Sequence, residues 1–222
     1  MESAFWDNQL KLSNEPICAE MIKSFDKLYI ELTHFATACS HWTSPYFNPM
    51  IEDLNTGNQI PLYNKGWTTL SVGYVDEEKS VTPEFLKFKE DEEKRLDVNL
   101  TETIRKMRKR GLPYLHSIIW KAERDKKLAN AFLGTLHPGC VVNSHKGWSD
   151  EYLRVHLALS WDDDDATITV GEETRTWVDG DILAFKDRGP YFISMKNQSK
   201  DQERLYLSFD LNIEYLKGYI DI

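Results

Sequence analysis

Two basic side chains one residue apart, Arg154 and His156, sit in the run Leu153-Arg154-Val155-His156-Leu157, and Arg204 opens a second run, Arg204-Leu205-Tyr206-Leu207-Ser208-Phe209. Successive side chains of a strand point to opposite faces. Arg154 and His156 therefore share one face while Leu153, Val155, Leu157 and Leu159 share the other. Arg204, Tyr206 and Ser208 alternate in the same way against Leu205, Leu207 and Phe209. A face turned into a packed barrel is expected to be apolar, and charges placed there need partners. The planar donor fork of arginine suits a carboxylate, so the chemistry suggested is capture of a small carboxylate. His145, in His145-Lys146-Gly147, adds an imidazole, the commonest protein metal ligand. Tyr191 lies between the two runs. Taken singly, Arg154 could be a structural ion pair with any of 36 acidic residues, and His145 or His156 an ordinary core histidine. Their convergence on one face favours a pocket.

The rest of the pattern supplies elements to hold these residues. From about Ala129 onward, short runs rich in β-branched and aromatic residues alternate with turn signals, an all-β texture. Strands are expected over Phe132–Leu136, Tyr152–Trp161, Ala166–Val170, Arg175–Val178, Ile182–Phe185, Tyr191–Met195 and Arg204–Asn212. Asp179-Gly180 and Gly171-Glu172-Glu173 are the turn signals among them. With no helical segments in between, these strands predict a mainly β fold, a double-stranded β-helix or jelly roll, rather than a parallel sheet.

Upstream, the chain reads as flanking N-terminal α-helices and loops. Apolar residues from Ile17 to Leu32 approximate a helical face over Pro16 to about Ala36, with Asn14 or Ser13 as cap. Asn55-Thr56-Gly57-Asn58 marks a turn and Gly66–Tyr74 a strand. Further helices are expected at Thr82-Pro83-Glu84, over Thr101–Arg110 with Gly111 closing it, and from Pro113 to about Asp125.

Composition narrows the function classes. A chain of 222 residues with 41% hydrophobic and 12% aromatic content can bury one sizeable core, so a single domain over 1–222 is expected. A net charge of -9 disfavours nucleic-acid binding, which depends on clustered Lys and Arg. The basic run Arg105 to Arg110 reads as a solvated helix face. Asp162 to Asp165 reads as a solvated loop tip, since it lacks the glycine and distal glutamate of a calcium loop. Cys18, Cys39 and Cys140 have neither disulfide-framework nor zinc spacing, which suggests a reducing, cytoplasmic setting. Neither an export signal nor a membrane span is expected from the apolar pattern.

The later motifs resemble the aspartyl/asparaginyl β-hydroxylases and related proline hydroxylases, among the iron(II)/2-oxoglutarate dioxygenases. The residues that carry the resemblance are His137-Pro138-Gly139, His145-Lys146-Gly147, Leu153 to Leu157, Glu173-Thr174-Arg175-Thr176-Trp177 with Gly180, Phe185 and Asp187, and Arg204-Leu205 leading to Asp210. Tyr63 with Gly66-Trp67 and Leu112-Pro113-Tyr114-Leu115 extend it upstream. It thus covers about residues 60 to 212, with a cupin-like jelly-roll core from about 129 and a helical or loop extension over about residues 1 to 60.

The resemblance implies that His145 is an iron ligand, that Gly147 stands where many related oxygenases place a carboxylate, and that Arg204 holds the distal carboxylate of 2-oxoglutarate. Arg154 and His156 match basic residues facing co-substrate and substrate, with the carboxylate each contacts left open. One position departs. The second iron histidine should follow Phe185 by six residues, and Tyr191 stands there. A phenol with an ordinary pKa of about 10 is a poor ligand for iron(II), so Tyr191 is expected either to ligate weakly or to line the cavity while another group, such as His156 or Asp187, supplies the missing contact. The implied function is iron(II)- and 2-oxoglutarate-dependent hydroxylation of an amino-acid or peptide side chain. The alternative is a family member that binds a small dicarboxylate or a protein partner without turnover.

Overall fold

The structure is a computed structural model that describes residues 4–6, 12–38, 50–53, 56–64, 66–72, 94, 102, 106, 109–147, 150–160, 165–186, 189 and 191–220. Its centre is a pair of facing antiparallel sheets. Eight strands are shared between them, alternating sheets except for the β7–β8 hairpin: β4 (Leu128–Leu136), β5 (Val141–His145), β6 (Tyr152–Ser160), β7 (Ala166–Val170), β8 (Glu173–Thr176), β9 (Ile182–Phe185), β10 (Ile193–Asn197) and β11 (Arg204–Asn212). One sheet runs β4-β11-β6-β9, extended at the β4 edge by β3 (Trp67–Ser71), and the other runs β5-β10-β7-β8. This interleaving is a jelly roll, the mainly β fold expected. A separate ribbon pairs β1 (Met50–Glu52) with β2 (Gln59–Pro61) around the turn at Gly57.

Alternation decides which residues enter the barrel. Leu136, Ala158, Leu183, Phe185 and Tyr206 of the larger sheet pack against Val142, Ala166, Ile168, Val170, Ile193 and Met195 of the smaller one. The opposite face of the larger sheet presents Leu133, Leu153, Val155, Leu157, Leu207, Phe209 and Leu211 to the helices. Two apolar layers therefore need two solvent shields, and the helices supply the second. These are α1 (Pro16–Lys23), α2 (Phe25–Ala38) and α3 (Pro113–Arg124), with a short α4 (Ile213–Leu216) after β11.

The single helix expected from Pro16 to Ala36 is broken at Ser24, which caps α1 and hydrogen-bonds through Oγ to Glu20 and Tyr114. Its N-cap is Glu15 rather than Asn14 or Ser13. The buried Glu15 carboxylate accepts from the backbone of Ile17 and Cys18 at 3.0 and 2.8 Å, satisfying two of the orphan donors of a helix start. The α3 start has no cap of its own, and Glu31 of α2 accepts from Tyr114 and Leu115 instead. Residues 4–6, which carried no readable motif, run along β9: Phe5 bridges Phe185, and Trp6 donates to Ala184 at 2.9 Å.

Several strand boundaries moved. β4 begins four residues earlier than expected, β8 covers Glu173–Thr176 rather than Arg175–Val178, and β10 begins at Ile193 rather than Tyr191. β5, β1 and β2 were not foreseen as strands. Glu102, Lys106, Lys109 and Arg110 of the expected third helix are helical, and the Thr82-Pro83-Glu84 helix lies outside the described residues, as do Asp162 to Asp164 and Cys39. Cys18 and Cys140 are buried free thiols. Among the described residues, no helix is long and apolar enough to cross a membrane.

Candidate functional site

β6 and β11 are antiparallel neighbours whose register places Arg154 opposite Asp210 and His156 opposite Ser208. Because cross-strand partners share a face, the basic residues and Asp210 meet inside the barrel. Arg154 grips Asp210 bidentately, with Nε to Oδ1 at 2.9 Å and Nη2 to Oδ2 at 3.0 Å, and Asn130 Nδ2 donates to Oδ2 at 3.0 Å. Asp210 is 1% exposed, so this pair is largely removed from water, where removal of one partner would strand the other's charge. The Arg154 guanidinium also lies 6.0 Å from the centre of the Phe132 ring.

His156 is enclosed by aromatic rings. Trp177 stacks on it at 5.9 Å, Phe185 meets it edge-on at 5.0 Å and Tyr206 lies 4.6 Å away. Burial pushes its pKa well below the usual histidine value, and the Arg154 cation pushes in the same direction, so the ring is neutral. Its Nδ1 and the Ser208 Oγ, on directly paired residues, are buried with no hydrogen-bond partner among the described residues. Such orphaned polar atoms cost roughly 1–3 kcal/mol each unless water or a ligand reaches them.

His145 ends β5 with Nδ1 2.8 Å from the Asn143 carbonyl oxygen. Burial lowers its pKa, opposed by hydrogen bonding to the backbone of Asn143 and Ile193 and reinforced by Arg154. Its direct cross-strand partner is Ile193. The space between these residues is a cleft of about 20 Å³ lined by Trp67, Phe132, His145, Arg154, His156, Phe185, Ile193, Met195 and Tyr206. That is room for water rather than for a larger molecule.

The residues singled out from sequence are thus only partly assembled. Arg154, His156 and His145 line one cleft. Arg204 is fully buried and shares the inward row with Tyr206, Ser208 and Asp210, but its Cα lies about 20 Å along β11 from Asp210 at some 3.4 Å per residue. Between the two stands Tyr206, whose hydroxyl accepts a 2.9 Å hydrogen bond from Trp67 Nε1 and whose pKa burial raises strongly. Tyr191 precedes β10 and does not line the cleft; it packs beside Gly171, where an added Cβ would stand 3.0 Å from its Cδ1. Asp187 lies outside the described residues. Sequence reasoning did not assign Asp210 as the partner of Arg154, although the inward alternation Arg204, Tyr206, Ser208, Asp210 carried the signal. It had no signal for Trp67, Phe132 or Ile193 as wall residues.

Two facing sheets in jelly-roll order, with a cleft between them lined by Arg154, His145 and His156, define a cupin-like barrel. The sequence model of the aspartyl/asparaginyl beta-hydroxylase family matches residues 56–213, and the chain belongs to that family, which suggests a hydroxylase-type function. Among solved structures, the cupin domain of Cnp3 from Schizosaccharomyces pombe is similar at 12% identity and a TM-score of 0.36, covering 79% of this chain and 96% of that one. A cupin superfamily protein from Desulfitobacterium hafniense is similar at 15% identity and a TM-score of 0.30, covering 39% and 68%. No curated protein matches the chain.

Iron and 2-oxoglutarate, which the resemblance implies, fit these residues unequally. No group of three or more His, Cys, Asp or Glu side chains able to hold a metal occurs among the described residues. His145 and His156 are the two imidazoles on the cleft, and the rest of its lining is Ile193, Met195, aromatic rings and Arg154, whose guanidinium is paired with Asp210. Among the described residues no third donor completes an iron centre. A small carboxylate suits the unpartnered polar atoms of the inward face but not the present width of the cleft.

Proposed function

We propose that this chain is a hydroxylase-family barrel that binds a small carboxylate between its sheets, 2-oxoglutarate being the one the family implies, without iron-dependent turnover. The observation that supports this reading is the inward face itself. Arg154, His156 and Ser208 lie together on it with Arg204 further along the same row, and His156 Nδ1 and Ser208 Oγ are buried without hydrogen-bond partners among the described residues. An anion with several acceptor oxygens would satisfy these orphaned polar atoms.

Binding has a structural requirement. Because the cleft is water-sized, a dicarboxylate enters only if wall side chains such as Trp67, Phe132 and Tyr206 turn aside, so binding energy is spent on opening. Affinity for the keto acid is correspondingly modest. The competing reading, iron(II)- and 2-oxoglutarate-dependent hydroxylation of an amino-acid or peptide side chain, draws support from family membership and from the His145 imidazole, whose Nδ1 is fixed by a backbone carbonyl in the manner of metal-binding histidines.

Calorimetric titration of the full chain with 2-oxoglutarate and with succinate, in the absence of metal, tests the carboxylate reading. Loss of a charge-assisted partner from a desolvated carboxylate costs about 2 to 5 kcal/mol, so Arg204→Met is expected to weaken binding well over tenfold. Equal affinity in the two proteins would remove Arg204 from the site, and the absence of binding to the unaltered chain would end the reading.

A further inference from the structure

We infer that Tyr206 determines which carboxylates the barrel accepts: its ring partitions the cleft from Arg204, so a dicarboxylate that spans the two binds only by displacing it. The inference rests on the proposed carboxylate site and assigns the narrowness of that site to one side chain. Along β11 the inward row runs Arg204, Tyr206, Ser208, Asp210, and Tyr206 lines the cleft whereas Arg204 does not. On the cleft side of the ring lie His145, His156 and Arg154, the last held by Asp210. His156 Nδ1 and Ser208 Oγ are buried without hydrogen-bond partners among the described residues. Arg204 lies beyond the ring, fully buried.

The seat of the ring is built into the sheet. The residues paired with Tyr206 on its two sides are Gly134 of β4 and Ala158 of β6, the two smallest residue types. A Cβ added at Gly134 would collide with the ring, which therefore lies directly over that backbone. The β6–β11 register also shifts between Leu205 and Tyr206, and irregularities of this kind re-aim a side chain. At its tip the hydroxyl accepts from Trp67 Nε1 at 2.9 Å, and the His156 ring lies 4.6 Å away between centroids. A large aromatic side chain seated between glycine and alanine and tethered at its tip leaves a cleft of about 20 Å³ on one side and Arg204 on the other. 2-Oxoglutarate, with a carboxylate at each end, reaches both only in a state where the ring has swung away. Apparent affinity falls by the fraction of the protein in that state.

Calorimetric titration of the full chain with 2-oxoglutarate, in the absence of metal, tests the partition in the unaltered protein and in Tyr206→Leu. Tyr206→Leu is expected to bind roughly tenfold more tightly, and Arg204→Met added to it should remove the gain. Tyr206→Phe keeps the ring and is expected to bind as the unaltered chain does. Should circular dichroism show Tyr206→Leu to be unfolded, Tyr206→Met, whose flexible side chain fills gaps in a core, is titrated in its place. Binding to the unaltered chain with no gain in a folded Tyr206→Leu or Tyr206→Met protein would overturn the inference and leave the carboxylate site standing. A gain that survives Arg204→Met, or an equal gain in Tyr206→Phe, would also overturn it. Arg204-dependent binding by Tyr206→Leu and not by the unaltered chain would uphold the partition while ending the proposed function; no binding by any of these proteins would end both.

Discussion

At the scale of single residues, the barrel interior is governed by which groups remain neutral. His145 and His156 are both pushed below the ordinary histidine range, chiefly by burial and in addition by the Arg154 cation. An unfolded histidine titrates near 6.5. Above that value both states are neutral and the full stability is present. As the pH falls from about 6.5 toward the depressed folded values, the unfolded chain takes up protons that the folded chain refuses, so stability is lost on acidification at up to about 1.4 kcal/mol per pH unit for each histidine. Urea unfolding between pH 7.5 and 5.5 should show this decline, and His156→Gln should make it shallower by removing one of the two contributors. Identical slopes in the two proteins would mean that His156 is protonated in the fold.

At the scale of elements, the inward rows depend on where small residues make room. Gly134 of β4 faces the Tyr206 ring so closely that an added Cβ would lie 2.3 Å from Cζ and 2.5 Å from the hydroxyl oxygen. Gly134→Ala should therefore displace Tyr206, weaken its hydrogen bond with Trp67 and lower stability by about 1–3 kcal/mol, as overpacking does. Chemical denaturation would register the change, and an unaltered midpoint would show that β4 yields without cost. The alternation of β6 and β11 was legible in sequence because each has one unbroken apolar face, which fixes the inward side of Arg154, His156 and Arg204. β5 was not legible, since Asn143-Ser144-His145 is polar and its pairing with β10 is long-range. The start of β10 was misplaced by two residues because Tyr191 and Phe192 have strand-like propensity but lie outside the ladder, a case where tertiary pairing overrides local preference.

For the whole molecule, an acidic chain of net charge -9 encloses a barrel face that carries Arg154, Asp210 and Arg204. The surface charge acts on an incoming anion mainly at a distance and is screened beyond about 8 Å at physiological salt, whereas the buried charges act at contact. The family relationship suggests a hydroxylase-type function. The proposal of carboxylate binding without turnover rests on the side chains around His145 rather than on the fold. The measurement that bears most directly on this account is succinate formation from 2-oxoglutarate by the purified full chain under air with iron(II) and ascorbate. The account predicts no succinate above the protein-free control; iron-dependent succinate formation that His145→Ala abolishes would contradict it.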